Sequence, residues 1–223
     1  MVVRLFPHYD VEKVWQYAER NFMNSGNGGA TPLFMSEQDY QNHVSLICEV
    51  HDADEFADFY LNKIASCADI AGTRTVTLMK PAFFSVPEDA PNTLCRFLLP
   101  LKIYPNKIPG IYNKILGLEP PKGIHFAYTA LSLGEEDIIV SLLASDRKEL
   151  INFVSGRIED MGIESLRIGV THRTKQLVDP GKWVDFQKKY RRSRLPNAKG
   201  GPEDFAFDWT HLTRCCVHGQ VQD

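Results

Sequence analysis

The sequence predicts an α+β fold of two successive β-α-β-β-α-β units, their sheets packed face to face, followed by a helix and a tail. Three observations predict it. Strand-like alternation and helix-like three- and four-residue spacing succeed one another in that order twice. The stretch 134–157 (GEEDIIVSLLASDRKELINFVSGR) reads as a turn, a buried strand, a corner and an amphipathic helix, and a weaker copy runs from His43 to Ile64. Aligned without gaps, Asp52 meets Asp146, Glu55 meets Glu149, Phe59 meets Phe153 and Ile64 meets Ile158, each pair 94 positions apart (149 − 55).

The elements follow in order. Residues 2–6 (VVRLF) form a strand rich in β-formers. Asp10 caps a helix over 11–22 whose apolar face is Val11, Val14, Trp15, Ala18 and Phe22. NSGNGG (24–29) ends it. A strand over 30–35 follows, then a polar, turn-like 36–42. The run 43–50 places Val44, Leu46, Cys48 and Val50 on one face of a strand. Asp52 or Asp54 caps the helix bearing Phe56, Phe59, Tyr60 and Ile64, and 72–79 is a β-branched strand.

The segment 81–92, with three prolines, reads as a linker. The second unit has a strand over 94–104, with Pro100 implying an edge, bulge or break, and a helix within 108–118. Strands over 124–133 and 137–144 flank the turn 134–136. Ser145 or Asp146 caps a helix bearing Leu150, Ile151, Phe153, Val154 and Ile158, and one last strand spans 163–174. A helix over 183–192 carries Trp183, Phe186 and Tyr190, and Phe205, Phe207, Trp209 and Leu212 follow in an aromatic tail. The expected boundaries are 1–85 for the first module, 86–92 for the linker, 93–178 for the second module and 179–223 for the C-terminal helix and tail.

A four-stranded sheet with both helices on one face leaves its other face bare, and that face must be buried. Two such sheets packed together, or closed into a barrel, bury it, and here both come from one chain. The gap between the sheets, or the strand ends beside it, is the natural pocket.

Bulk properties exclude several classes. The net charge of −3 offers no global attraction to nucleic acid or anionic membranes. No apolar run approaches the roughly 20 residues that span a bilayer, and MVVRLFPHYD has no long apolar core, so no signal peptide is expected. Five cysteines without CxxC or zinc-like spacing point to a reduced, cytoplasmic protein, with Cys48 and Cys95 as core thiols. Cys215 and Cys216 are expected to be incidental.

Each half resembles the effector-binding domain of the Lrp/AsnC regulators. The resemblance rests on the Gly-x-x-Asp turn Gly134-Glu135-Glu136-Asp137, the strand Ile138-Ile139-Val140, a helix opened by Asp146, and DIAGTRTVTLMKP (69–81) in the first half. It implies a ferredoxin-like module paired as in dimeric α/β barrels; this sequence departs from the family pattern in carrying two such modules in tandem and in showing no helix-turn-helix domain before them. It further implies a regulatory module that binds an amino-acid-like metabolite through Gly134, Asp137 and Asp146, as a homo-oligomer. Each residue also has a structural reading: Gly134 supplies positive φ, Asp137 satisfies turn amides, and Asp146 caps its helix.

The alternative is an enzyme of the same barrel type, resembling either haem-dependent chlorite dismutase-like proteins or cofactor-free monooxygenases. Haem needs an axial ligand, for which His125 and His172 are candidates. No catalytic or metal-ligating set is predicted, and no cofactor is expected under the regulatory reading. HDADE (51–55) reads as an acidic helix start rather than a metal site. Lys188, Lys189, Arg191, Arg192 and Arg194 read as a solvated basic face, so direct nucleic-acid contact is not expected.

Overall fold

The computed structural model describes residues 1–25, 29–39, 42–84 and 94–190. The first half comprises β1 (Val2–Pro7), α1 (Val11–Phe22), β2 (Ala30–Gln38), β3 (His43–Val50), α2 (Ala53–Phe59) and β4 (Ile70–Phe83). The second comprises β5 (Cys95–Lys102), α3 (Ile108–Gly117), β6 (Ile124–Leu133), β7 (Ile138–Ala144), α4 (Arg147–Phe153), β8 (Ser165–Leu166) and β9 (Gly169–Gln176), with α5 (Pro180–Lys189) after it.

The strands pair antiparallel in the order β4-β1-β3-β2 and, in the second half, β9-β5-β7-β6. Two seams join the halves. Gln38 of β2 pairs with Thr171 of β9, and Phe83 of β4 pairs with Tyr128 of β6. The ring therefore closes on itself, which removes the unpaired edges that an open sheet would present. The bare faces anticipated above are buried within one chain.

Local sequence explains the elements. The Asp10 carboxylate accepts from the Glu12 amide at 2.8 Å, and α1 buries Val14, Trp15, Ala18 and Phe22 against the sheet. Asp52 and Asp146 cap α2 and α4 in the same way, accepting from Glu55 N at 3.0 Å and Glu149 N at 2.9 Å. Both helices then widen into a π-type turn, at Tyr60–Ile64 and Val154–Ile158. The boundaries of helix and turn lie 94 positions apart in the two halves (147 − 53), as the ungapped alignment anticipated.

β7 is buried throughout, because it faces the helices on one side and the barrel interior on the other. Ile138, Val140, Leu142 and Ala144 enter the core beneath α3 and α4, while Ile139 points inward to Val2 and Val76.

Several expectations need correction. The polar run after Met35 was expected to turn, but Ser36–Gln38 continues β2. Ser36 and Gln38 are buried because that face meets a polar barrel interior. Pro81 belongs to β4 rather than to a linker. The last strand is broken into β8 and β9 at residues 167–168. Pro100 sits opposite that break, between Leu98, paired with Gly169, and Leu101, paired with Leu166, where its missing N–H costs no ladder bond. Cys95, expected as a reduced core thiol, is disulfide-bonded, whereas Cys48 and Cys67 are free. Most of the linker and the tail 191–223, including Cys215 and Cys216, lie outside the described residues. Among the described residues, no helix is long and apolar enough to cross a membrane.

Candidate functional site: an aromatic cavity at one end of the barrel

Helix α5 lies across the end of the barrel where β5 begins. Asp179 caps it, accepting from Lys182 N at 3.0 Å, and Pro180 fills its first turn. Its far end is tied down by Lys189 Nζ to Glu49 Oε1 at 2.9 Å and by the Phe83 amide donating to Tyr190 O at 3.2 Å. The spacing of Trp183, Phe186 and Tyr190 turns three aromatic side chains toward the barrel.

Those rings build the site. Trp183 stacks on Phe34 of β2 with centroids 5.8 Å apart and planes 12° apart, and Phe186 stacks on Trp183 at 5.7 Å and 18°. Phe83 stands edge-on to both, at 6.1 and 5.7 Å. They enclose a cavity of about 210 Å³ whose wall also includes Ile47, Leu78, Tyr128 and Arg96. The indole Nε1 of Trp183 is buried and has no hydrogen-bond partner among the described residues.

Arg96 forms the inner wall. Its guanidinium lies over the Phe34 ring, 5.0 Å from the centroid, and its side chain is 9% exposed. Burial pulls its pKa down to about 10, against an opposing influence from Tyr128. Cys48 also lines the cavity, and burial pushes its thiol up to about 12, which makes it a poor nucleophile.

Past Phe34, Ile47, Arg96 and Tyr128 the cavity wall is shared with a narrow inner chamber lined by Arg4, Ser36, Gln38, Ser45 and Thr171. Gln38 Nε2 donates to Ser36 Oγ and to Thr171 Oγ1, each at 3.1 Å, bridging the β2–β9 seam. His43 Nε2 lies 3.0 Å from Ser45 Oγ. The site therefore grades from an aromatic mouth to a polar interior.

The residues predicted from the sequence lie elsewhere. Gly134 and Asp137 occupy the β6–β7 turn at the opposite end of the barrel. Asp137 accepts from the Ile103 amide at 2.8 Å and pairs with Lys102 at 3.2 Å, which fastens the end of β5. Gly134 does not have positive φ; a Cβ there would stand 3.3 Å from Val76 Cγ2, a tight contact that Val76 would have to ease by a few tenths of an ångström. Asp146 lies beyond the other end of β7, nine positions from Asp137, with the seven-residue strand, roughly 20 Å long, between them. The structure brings Gly134 and Asp137 together and leaves Asp146 apart. Sequence reasoning missed Arg96 and Phe34. The available signal was an arginine inside an otherwise apolar strand run, in LCRFLL and again in VVRLF.

The chain matches no protein-family model and no curated protein. Its likenesses are to solved structures. A candidate monooxygenase from Fusobacterium nucleatum subsp. nucleatum ATCC 25586 is 13% identical, with 79% of this chain and 90% of that chain covered and a TM-score of 0.50. An anthrone oxidase-like protein is 9% identical, covering 79% and 92%, with a TM-score of 0.51. The siroheme decarboxylase NirDL is 7% identical, covering 85% and 78%, with a TM-score of 0.52. The likeness is one of fold. The neighbours are ferredoxin-like α/β barrels, and none of the three is an Lrp/AsnC regulator.

Proposed function

We propose that this chain is two fused ferredoxin-like modules forming one α/β barrel, and that it takes a compact aromatic molecule into the cavity beneath α5. The observation that carries this reading is the aromatic cluster of Phe34, Phe83, Trp183 and Phe186 around a cavity with a polar inner wall. Such sites combine a mostly apolar lining with a few placed polar groups. About 210 Å³ suits a one- or two-ring ligand. The chemistry most in keeping with the fold neighbours is cofactor-free oxidation, in which O₂ converts an activated ring CH₂ to C=O and water leaves. Here the aromatic walls orient the ring and exclude water.

The residues fit haem poorly. The described lining of the cavity contains no histidine, and neither His125 nor His172 is part of it. Its volume also lies below the usual range for drug-sized ligands, and a tetrapyrrole needs more. Thermal shifts and Trp fluorescence with a panel of one- and two-ring aromatics test the reading, with oxygen consumption as the activity readout. A ligand at 100 times its Kd adds about 2.7 kcal/mol. A panel without a shift, or a hit whose binding ignores Trp183→Ala, would reject it.

A second reading follows the Lrp/AsnC resemblance: an amino-acid-like effector bound at the Gly134–Asp137 turn, giving a regulatory role. It is favoured by a polar recess of about 140 Å³ beside that turn, lined by Lys102, Glu135, Glu136, Ser165 and Arg167. An amino-acid-induced shift lost in Arg167→Ala would support it. Self-association goes with either reading, since Leu61 (61%), Tyr104 (53%) and Leu133 (58%) are exposed, and sedimentation velocity checks it.

A further inference from the structure

We infer that Cys95, the first residue of β5, is bridged to one of the adjacent pair Cys215 and Cys216, so that a redox-sensitive disulfide straps the tail to the barrel. This goes beyond the cavity reading and does not depend on what the cavity takes. The cysteine arithmetic carries it. The chain has five cysteines, Cys48, Cys67, Cys95, Cys215 and Cys216. Cys95 is disulfide-bonded, while Cys48 and Cys67 are free thiols. A disulfide within one chain needs a second cysteine of that chain, and Cys215 and Cys216 are the two that remain to supply it.

The placement of Cys95 gives the bridge its consequence. Cys95 pairs with Ala144 of β7 and packs against the core beneath α3 and α4. Alternation along β5 puts it on the helix side with Phe97, Leu99 and Leu101, while Arg96 faces the barrel interior. It is half-buried, which leaves its sulfur at the rim of that core. The described chain, by contrast, ends against the first half: Tyr190 O accepts from the Phe83 amide and Lys189 pairs with Glu49. A bond from Cys215 or Cys216 to Cys95 therefore ties the tail to the second half and closes a loop of 120 or 121 positions (215 − 95 or 216 − 95). A cross-link across so long a loop restricts the unfolded chain strongly. The strap is reversible. Two molecules of a small thiol reduce it, releasing Cys95 and its partner as thiols and forming one small-molecule disulfide; oxidised glutathione drives the same exchange backwards.

The test uses the full chain, equilibrated with oxidised glutathione, alkylated and digested with trypsin without reductant. Cleavage after Arg74, Arg96 and Arg214 gives peptide 75–96, which carries Cys95, and peptide 215–223, which carries both tail cysteines. The expected result is that mass spectrometry of the monomer finds these two as one linked species, lost on reduction. It should be absent from Cys95→Ser and from the double variant Cys215→Ser with Cys216→Ser. The thermal midpoint of wild type should fall by several degrees in dithiothreitol, and the midpoints of both variants should ignore the reductant. Peptide 75–96 recovered unlinked, joined to a peptide carrying Cys48 or Cys67, or joined to 215–223 only in a covalent dimer would overturn the inference. Should Cys95→Ser fail to fold, the double variant, which leaves β5 untouched, still decides.

Discussion

Arg4 Nη1 lies 2.7 Å from Glu136 Oε1, joining β1 to the β6–β7 turn across the end of the barrel remote from α5. Glu135 in the same turn holds Arg74 at 2.8 Å, so the two acids clasp the first half of the chain to the second. Arg4 is 2% exposed and Glu136 is 12% exposed. Removing one partner of a buried pair typically costs 3–5 kcal/mol. Glu136→Gln should therefore lower stability by about 3 kcal/mol in urea titration, and Arg4→Met with Glu136→Met together should recover much of it. An unchanged midpoint in Glu136→Gln would remove the pair from the account of how the halves are held.

His43 ties stability to pH. Burial, followed by the charges of Arg4 and Arg74, pushes its imidazole from 6.5 down to about 4. Between those values the unfolded chain binds the proton and the folded one does not. Stability is thus full above pH 6.5 and declines as pH falls toward 4, by up to about 3 kcal/mol. Urea titrations at pH 7.5 and 4.5 should show a steeper loss for wild type than for His43→Asn. Parallel losses would mean that other groups carry the acid sensitivity.

Gly134 tests packing against conformation. Since its φ is not positive, a side chain there is opposed by Val76 at 3.3 Å rather than by backbone strain. Gly134→Ala should cost about 1–2 kcal/mol as overpacking, and Val76→Ala in the same chain should relieve part of that. A double variant showing no relief would place the cost elsewhere.

Arg173 crosses the β2–β9 seam. Its Nε donates to Glu37 and its Nη2 to Glu12, each at 2.6 Å, while its guanidinium lies 4.2 Å from the Trp15 ring centroid. Lysine cannot reproduce the forked donors and the stacking at once. Arg173→Lys should lose about 1 kcal/mol, less than a fully buried network would, because Arg173 is 30% exposed. Double-mutant cycles with Glu37→Gln and Trp15→Leu would apportion it, and full additivity would argue against a network.

The order of strands and helices, the Asp10 cap and the 94-position spacing of α2 and α4 were legible in the sequence, which left the caps of those two helices open between Asp52 and Asp54 and between Ser145 and Asp146. These are read over a few residues, where spacing, capping and alternation act locally. Which strands meet at the seams, and therefore where the cavity lies, follows from long-range pairing that no local window encodes. Phe34, Arg96, Tyr128 and Trp183 come from four elements distant in sequence, and nothing in their local windows links them. The polar residues Ser36 and Gln38 looked like a turn because polarity ordinarily marks solvent. Here it marks the inside of a closed barrel, whose bonds, such as Gln38 to Thr171, form only once the second half has folded back against the first.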